Sequence, residues 1–199
     1  RLRSCKKTAK IMGSGKLQIS DFQENLHLAR FSTAYRIDSF SCGIEEYDTF
    51  LTEFAQDYES RMISATHLLV NRSNADIVAY MTLLMASITI SEDEKEHAEI
   101  GDILFNSIPS MKIGKLAVSL DYRKQYSGIG SLMIQIARGI ANDAFNGGVA
   151  TRFIVIDADI GNNPELVTFY SKNGFKRNER YSNKKNKRTL SMRLDILID

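Results

Sequence analysis

Two glycines, two residues apart in Gln125-Tyr126-Ser127-Gly128-Ile129-Gly130, stand just ahead of a run whose apolar residues recur every three or four positions. Such a loop turns consecutive backbone N–H groups toward one point at the positive end of a helix, and an anion as large as a pyrophosphate fits there. Upstream lies a strand-like Leu116-Ala117-Val118, and downstream Tyr170-Ser171-Lys172-Asn173-Gly174-Phe175. Arg123 and Lys124 stand at the edge of the loop, where they either screen phosphate charge or only add solubility. Metal chemistry is not suggested. His27, His67, His97, Cys5 and Cys42 are scattered without ligand spacing, and two cysteines make no disulfide framework.

The loop needs elements to hold it, and the flanking sequence supplies them. Ile113–Val118 reads as a strand, Gly128–Phe145 as a helix and Arg152–Asp157 as a second strand, a β-α-β unit whose strands must run parallel through a right-handed crossover. Ile129, Leu132, Met133, Ile136, Ala137, Ile140, Ala141 and Ala144 give the helix one apolar stripe, and Gly147-Gly148 ends it. A shorter helix runs from Pro164 to Lys172, stopped by Asn173-Gly174. Phe175–Arg177 and Arg188–Leu197 then read as closing strands around a basic loop that holds Arg177, Arg180, Lys184, Lys185, Lys187 and Arg188 against Glu179.

The first half is less regular. Ser20 with Gln23 predicts a capped short helix over Asp21–Ala29, and Tyr35–Phe40 alternates like a strand. Tyr47, Phe50, Leu51, Phe54 and Tyr58 are spaced as one helix face, a stripe that reads as core packing, with Cys42 as a small buried hydrophobe. His67–Asn71 and Ile77–Ile90 flank a polar turn and predict a hairpin, with His67 a strand residue. Residues 91–102 collect Glu92, Asp93, Glu94, Glu96, Glu99 and Asp102, which reads as a solvated loop or as a lid offering carboxylates to a cationic substrate.

Size bounds the answer. With 199 residues, the expectation is a flexible basic extension over 1–16 and one domain over 17–199. The composition, 43% hydrophobic and 25% charged with a net charge of +2, is that of a globular protein without a strong electrostatic call on nucleic acid. No apolar run reaches the ~20 residues of a membrane helix, and no leader-like segment is evident, so a cytoplasmic location without membrane association is expected.

From Tyr35 to Leu197 the chain resembles the GNAT superfamily of N-acetyltransferases. The resemblance rests on Gly114-Lys115-Leu116-Ala117-Val118, on the Gln125-x-x-Gly128-x-Gly130 loop, and on Asn163, Tyr170, Gly174 and Phe175 at the family's spacing. It implies an α/β (α+β) fold with a mixed, mostly antiparallel sheet, a parallel β-α-β pair splayed around the cofactor, and helices on both faces. It also implies acetyl-coenzyme A as co-substrate and no metal. Pantetheine would lie along Leu116, Ala117 and Val118, with Asn163 nearby, and the pyrophosphate would meet N–H groups of Tyr126, Ser127, Gly128, Ile129, Gly130 and Ser131, behind Gln125. The Val118 N–H would stabilise the oxyanion and Tyr170 would protonate the leaving thiolate. No base is evident, which suits an acceptor amine of low pKa, though Glu99 or a water chain could serve.

A finer resemblance, to the toxin branch of that superfamily, rests on Phe40-Ser41-Cys42-Gly43, Phe50-Leu51-x-x-Phe54-Ala55, Tyr80-Met81-Thr82-Leu83 and Ile108–Val118. It implies acetylation of the α-amino group of aminoacyl-tRNA and neutralisation by a small DNA-binding antitoxin. The acidic 91–102 segment and the long basic loop depart from that pattern. The expectation is therefore an N-acetyltransferase for an amine acceptor of open class, with the tRNA-directed toxin as alternative and a homodimer left open. A non-catalytic acyl-coenzyme A-binding module is a third reading, which retention of Tyr170 disfavours.

Overall fold

A computed structural model describes residues 16–179 and 188–198. Arg180, Lys184, Lys185 and Lys187 of the basic loop, and the extension up to residue 15, lie outside the described residues.

The chain begins with β1 (Leu17–Gln18), a 3-10 helix (Ile19–Asn25) and β2 (Leu26–Arg30). A second 3-10 turn (Ile37–Ser39) leads to α1 (Glu45–Thr49), which passes through a π-helical turn (Phe50–Phe54) into α2 (Ala55–Ser60). Then come β3 (Ala65–Asn71), β4 (Ile77–Thr89), α3 (Glu92–His97), β5 (Ser107–Val118), α4 (Leu120–Gln125) and β6 (Tyr126–Ser127). α5 (Ile129–Asn146), β7 (Phe153–Ala158), α6 (Leu166–Lys172), β8 (Lys176–Arg177) and β9 (Leu190–Asp195) complete it.

Seven strands form one sheet in the order β2-β3-β4-β5-β7-β9-β8, in which only β5 and β7 run parallel. The order follows from the chain: β2 through β5 each pair antiparallel with the next, with the α1–α2 segment between β2 and β3, a tight hairpin between β3 and β4 and α3 between β4 and β5, and α5 is the crossover that carries β5 to a parallel neighbour. Met133, Ile134, Ala137 and Ala141 of α5 are buried against Met111, Ile113, Ile154 and Ile156 on one face. Strand alternation sends Tyr80 and Leu68 to the other face, under Phe50, Leu51 and Ala55 of the α1–α2 helix. This is the mixed sheet with a parallel pair and helices on both faces expected from the sequence.

Several local expectations fail, each for a tertiary reason. Ser20 caps nothing: the turn is 3-10, has no side-chain cap, and gives way at Leu26 to a strand, because His27 and Leu28 pair with Val70 and Leu69 of β3. Tyr35–Phe40 is not a strand but a 3-10 turn that buries Ile37 and Phe40 beneath α1. The aromatic stripe is broken by the π turn, whose wider winding rotates the later residues about the axis, so Phe50 and Leu51 are buried while Phe54 is 47% exposed.

The acidic segment is not a loop. Ser91 and Glu94 form a complete capping box at the start of α3, and Glu94 is buried in an ion pair with Arg193 of β9. Burial pushes the Glu94 carboxyl up, but N–H groups of Ser91 and Glu179 and the Arg193 guanidinium outweigh it and hold it below the usual carboxylate range.

Candidate active site

Where β5 and β7 part, a cleft opens. Their pairing ends at Ile113↔Ile156, and the next residue, Gly114, is the extra residue of a bulge opposite Thr82 and Leu83 of β4. A Cβ on Gly114 would stand 2.8 Å from Thr82 Oγ1, the same oxygen that accepts the Lys115 N–H at 2.9 Å. Glycine is required there because the two chains approach so closely. Beyond the bulge, Leu116–Val118 pairs with β4 alone.

The edge so exposed has free donors. Ser119 N–H donates to Val78 O at 2.9 Å, which makes Ala79 and Val118 a non-hydrogen-bonded pair and turns the Val118 N–H away from β4, into the gap left by β7. The period of two points the Leu116 N–H the same way.

The cleft, about 440 Å³, is lined by Leu116, Ala117, Val118, Arg123, Gly130, Asn163 and Tyr170 of the residues predicted from sequence. Gly128 is left-handed (φ 88°) and caps α5, whose first N–H groups have no acceptor within the helix. Gly130 answers a packing demand, because a Cβ there would stand 2.8 Å from Phe169 Cζ of α6. Asn163 Oδ1 accepts the Glu165 N–H at 3.0 Å, so its side chain braces the turn into α6 while it lines the cleft.

The other loop residues do not line the cleft. Gln125 Nε2 donates to Asp121 O at 3.2 Å, and Lys124 is 3.9 Å from the Asp121 carboxylate. The Tyr126 ring stacks on Phe22 at 5.0 Å, and Ser127 Oγ donates to Leu17 O at 3.4 Å. Ile129 is buried in the core and Ser131 is half-buried on α5. Glu99 does not line the cleft either.

Tyr170 is 4% exposed, held edge-on between Phe169 (5.0 Å) and Phe175 (5.3 Å). Burial, with a smaller contribution from Tyr47, raises its phenol well above the ordinary value. It is a protonated donor throughout the neutral range.

Tyr47, read from sequence as core, packs against the Phe50, Leu51 and Tyr80 core and also lines the cleft. Buried Tyr80 donates its O–H to Tyr47 O at 2.8 Å, and Asp48 accepts the Cys42 N–H (2.7 Å) and the Ser41 hydroxyl (2.8 Å), which locks α1 over the gap. Burial and then Asp159 push the Tyr47 phenol up to about 12. Cys42 also lines the cleft, and burial raises its thiol to about 11, so it is an inert thiol.

Sequence reasoning missed Glu46, Tyr47, Asp159 and the side chain of Lys115. Asp159 is 8% exposed and its carboxylate accepts from Asn162 Nδ2 at 2.6 Å. Nothing local marks these residues, since α1 and the segment after β7 meet only in the fold. Among the described residues no group of histidines, cysteines and carboxylates could hold a metal ion.

An open parallel pair with a helix N-terminus beside it is the arrangement of the GNAT fold. No protein-family model matches the sequence, and no curated protein matches it. Solved structures do match in shape. AtaT complexed with acetyl-methionyl-tRNAfMet superposes with a TM-score of 0.68 at 19% identity, over 85% of this chain and 94% of that one. A tyrosine-to-phenylalanine mutant of KacT gives 0.66 at 20% identity, over 84% and 94%. A structure described as a bacterial toxin gives 0.67 at 17% identity, over 86% and 91%.

Proposed function

We propose that the protein is an acetyl-coenzyme A-dependent N-acetyltransferase. One observation carries this reading: the β5 edge at Leu116–Val118, freed from β7 by the Gly114 bulge, opens into a cleft that also holds Tyr170 and reaches the first turn of α5. Acetyl-coenzyme A is the co-substrate, with its thioester along that edge and its pyrophosphate at the start of α5 near Arg123.

The acceptor nitrogen, deprotonated in solvent, attacks the thioester carbonyl carbon, and a C–N bond forms as the C–S bond breaks. The Val118 N–H stabilises the oxygen charge that develops in between. Tyr170 gives its proton to the departing thiolate and is reprotonated from the amide nitrogen as that loses its surplus proton. Glu99 does not line the cleft, and this reading assigns it no role as base.

For the acceptor, the toxin reading is favoured over a small amine. The similar structures include AtaT with an acetylated methionyl-tRNA, AtaT with the C-terminus of its antitoxin AtaR and acetyl-CoA, and a KacTA–DNA complex. By that likeness the acceptor is the α-amino group of an aminoacyl-tRNA, and the partner is a DNA-binding antitoxin. The low pKa of such an amine, about 8 against about 10.4 for a lysine, suits a cleft whose carboxylates Asp157 and Asp159 are already held by Lys112 and by Asn162 and Arg188. The test is labelled acetyl transfer to free amines, peptides with free N-termini and aminoacyl-tRNAs in parallel. Label on the tRNAs alone supports the finer reading, and label on peptides or small amines alone replaces it.

A further inference from the structure

Lys115 is held from three sides. The Gly114 bulge fixes its backbone, its Nζ lies 4.6 Å from the centre of the Tyr47 ring and 5.3 Å from that of Phe50, and only 19% of its side chain is exposed. Such a lysine has lost most of its rotamer freedom and presents a fixed charge. Its partner is Glu46, which accepts from Lys115 Nζ at 3.0 Å through one oxygen and from an Arg188 terminal nitrogen at 2.9 Å through the other. Arg188 Nε is also 3.6 Å from Asp159 Oδ1.

Two cations thus converge on the two oxygens of one carboxylate beside the cleft, one residue before the Leu116–Val118 edge. The convergence is on the sheet face covered by α1, whereas α5, with its first-turn N–H groups, packs on the opposite face. Lys115 and Asp159 thus line the cleft from the side of α1, whereas Gly130 lines it at the start of α5. Glu46 and Arg188 are the exposed members, with 55% and 63% of their side chains in solvent, and Lys115 is the sheltered one. An exposed ion pair contributes little to stability, so the two cations can exchange Glu46 for another oxyanion at small cost.

We propose that Lys115 and Arg188 are the receptor for an oxyanion on the acceptor, and that Glu46 occupies its place in the free enzyme. This rests on the acceptor being an aminoacyl-tRNA, whose 3′-terminal nucleotide carries a phosphate a short distance from the reacting amine. The guanidinium fork of Arg188 and the point charge of Lys115 suit phosphate oxygens.

The experiment is calorimetry on protein saturated with coenzyme A, so that the cofactor's own anion site is filled, with adenosine, adenosine 5′-monophosphate and adenosine 5′-carboxylate as probes. The monophosphate is expected to bind about tenfold more tightly than adenosine. Arg188→Ala and Lys115→Met, which keeps the stem over the two rings, should each remove most of that advantage, and Glu46→Gln should enlarge it. If the carboxylate matches the phosphate, the receptor takes oxyanions in general. Equal affinity for all three probes in the wild type overturns the proposal, as does a Glu46→Gln variant that binds the monophosphate more weakly. Acetylation of methionyl-tRNA by the same preparation tests the functional reading separately. If it fails while the monophosphate is still preferred, the receptor stands and the acceptor is some other oxyanion-bearing amine.

Discussion

In the proposed reaction Tyr170 is the proton donor, and its surroundings let a catalytic role be tested apart from a packing one. Its ring fills space between Phe169 and Phe175, so Tyr170→Phe keeps the packing and deletes only the proton. Acetyl transfer under conditions where chemistry limits the rate should drop about 10²-fold, while calorimetric affinity for acetyl-coenzyme A stays within twofold. A rate close to wild type would make the residue structural. Because burial raises the phenol's pKa, the protonated form persists as pH rises, and no basic limb in the rate profile should come from Tyr170 below about pH 10. That Tyr170 lines the cleft was legible through the resemblance, whose pattern with Asn163 and Gly174 is local. Tyr47 was not, because its place depends on Tyr80, a residue of β4, pulling on its carbonyl.

Among the elements, the strength of the sequence signal follows the range of the contacts that decide them. The α5 stripe and the glycines after it are written within a few turns, and the helix forms as expected. The segment at 91–102 looks like solvated charge until Arg193, distant in the chain, pairs with Glu94 and makes it a buried anchor. Glu94→Gln should destabilise the protein by about 3 kcal/mol or more in urea unfolding, since it leaves a buried guanidinium without its charge partner. The sign of the pH effect follows from the lowered carboxyl. Its contribution is fully present above the unfolded carboxylate value near ~4.3 and is lost as pH falls through the folded one. Wild type should therefore lose stability more steeply than Glu94→Gln over that acid range. Where α5 meets α6, Gly130→Ala should cost about 1–3 kcal/mol by forcing Phe169 aside. Trimming Phe169 to leucine should recover part of that cost in a double-mutant cycle, whereas strict additivity would place the strain elsewhere.

Across the whole molecule, the parallel direction of the β5–β7 pair was readable because a helix between two strands makes a crossover, whereas the strand order was not, since β2 read as helix until its pairing with β3 made it an edge strand. The splay that opens the cleft came only with the resemblance, since it arises from a single bulge that stops the pairing at Ile113↔Ile156 and no local pattern announces it. Filling that bulge is informative: Gly114→Val should clash with Thr82 and Leu84, and acetyl-coenzyme A affinity should fall more than stability does. No helix among the described residues is long and apolar enough to cross a membrane. If the acceptor is a tRNA, its apparent affinity should fall steeply with salt, each phosphate contact adding to the slope, whereas a small amine would show almost no dependence.

Acetyl transfer within the β5–β7 cleft is open to direct measurement. Labelled acetyl from acetyl-coenzyme A can be sought on methionyl-tRNA and on a matched set of peptides and small amines, with wild type and Tyr170→Phe side by side. Label is expected on the α-amino nitrogen of the tRNA-bound amino acid with wild type, and about a hundredfold less with Tyr170→Phe. No labelled acceptor of any kind, from protein that still binds acetyl-coenzyme A, would contradict acetyl transfer in this cleft.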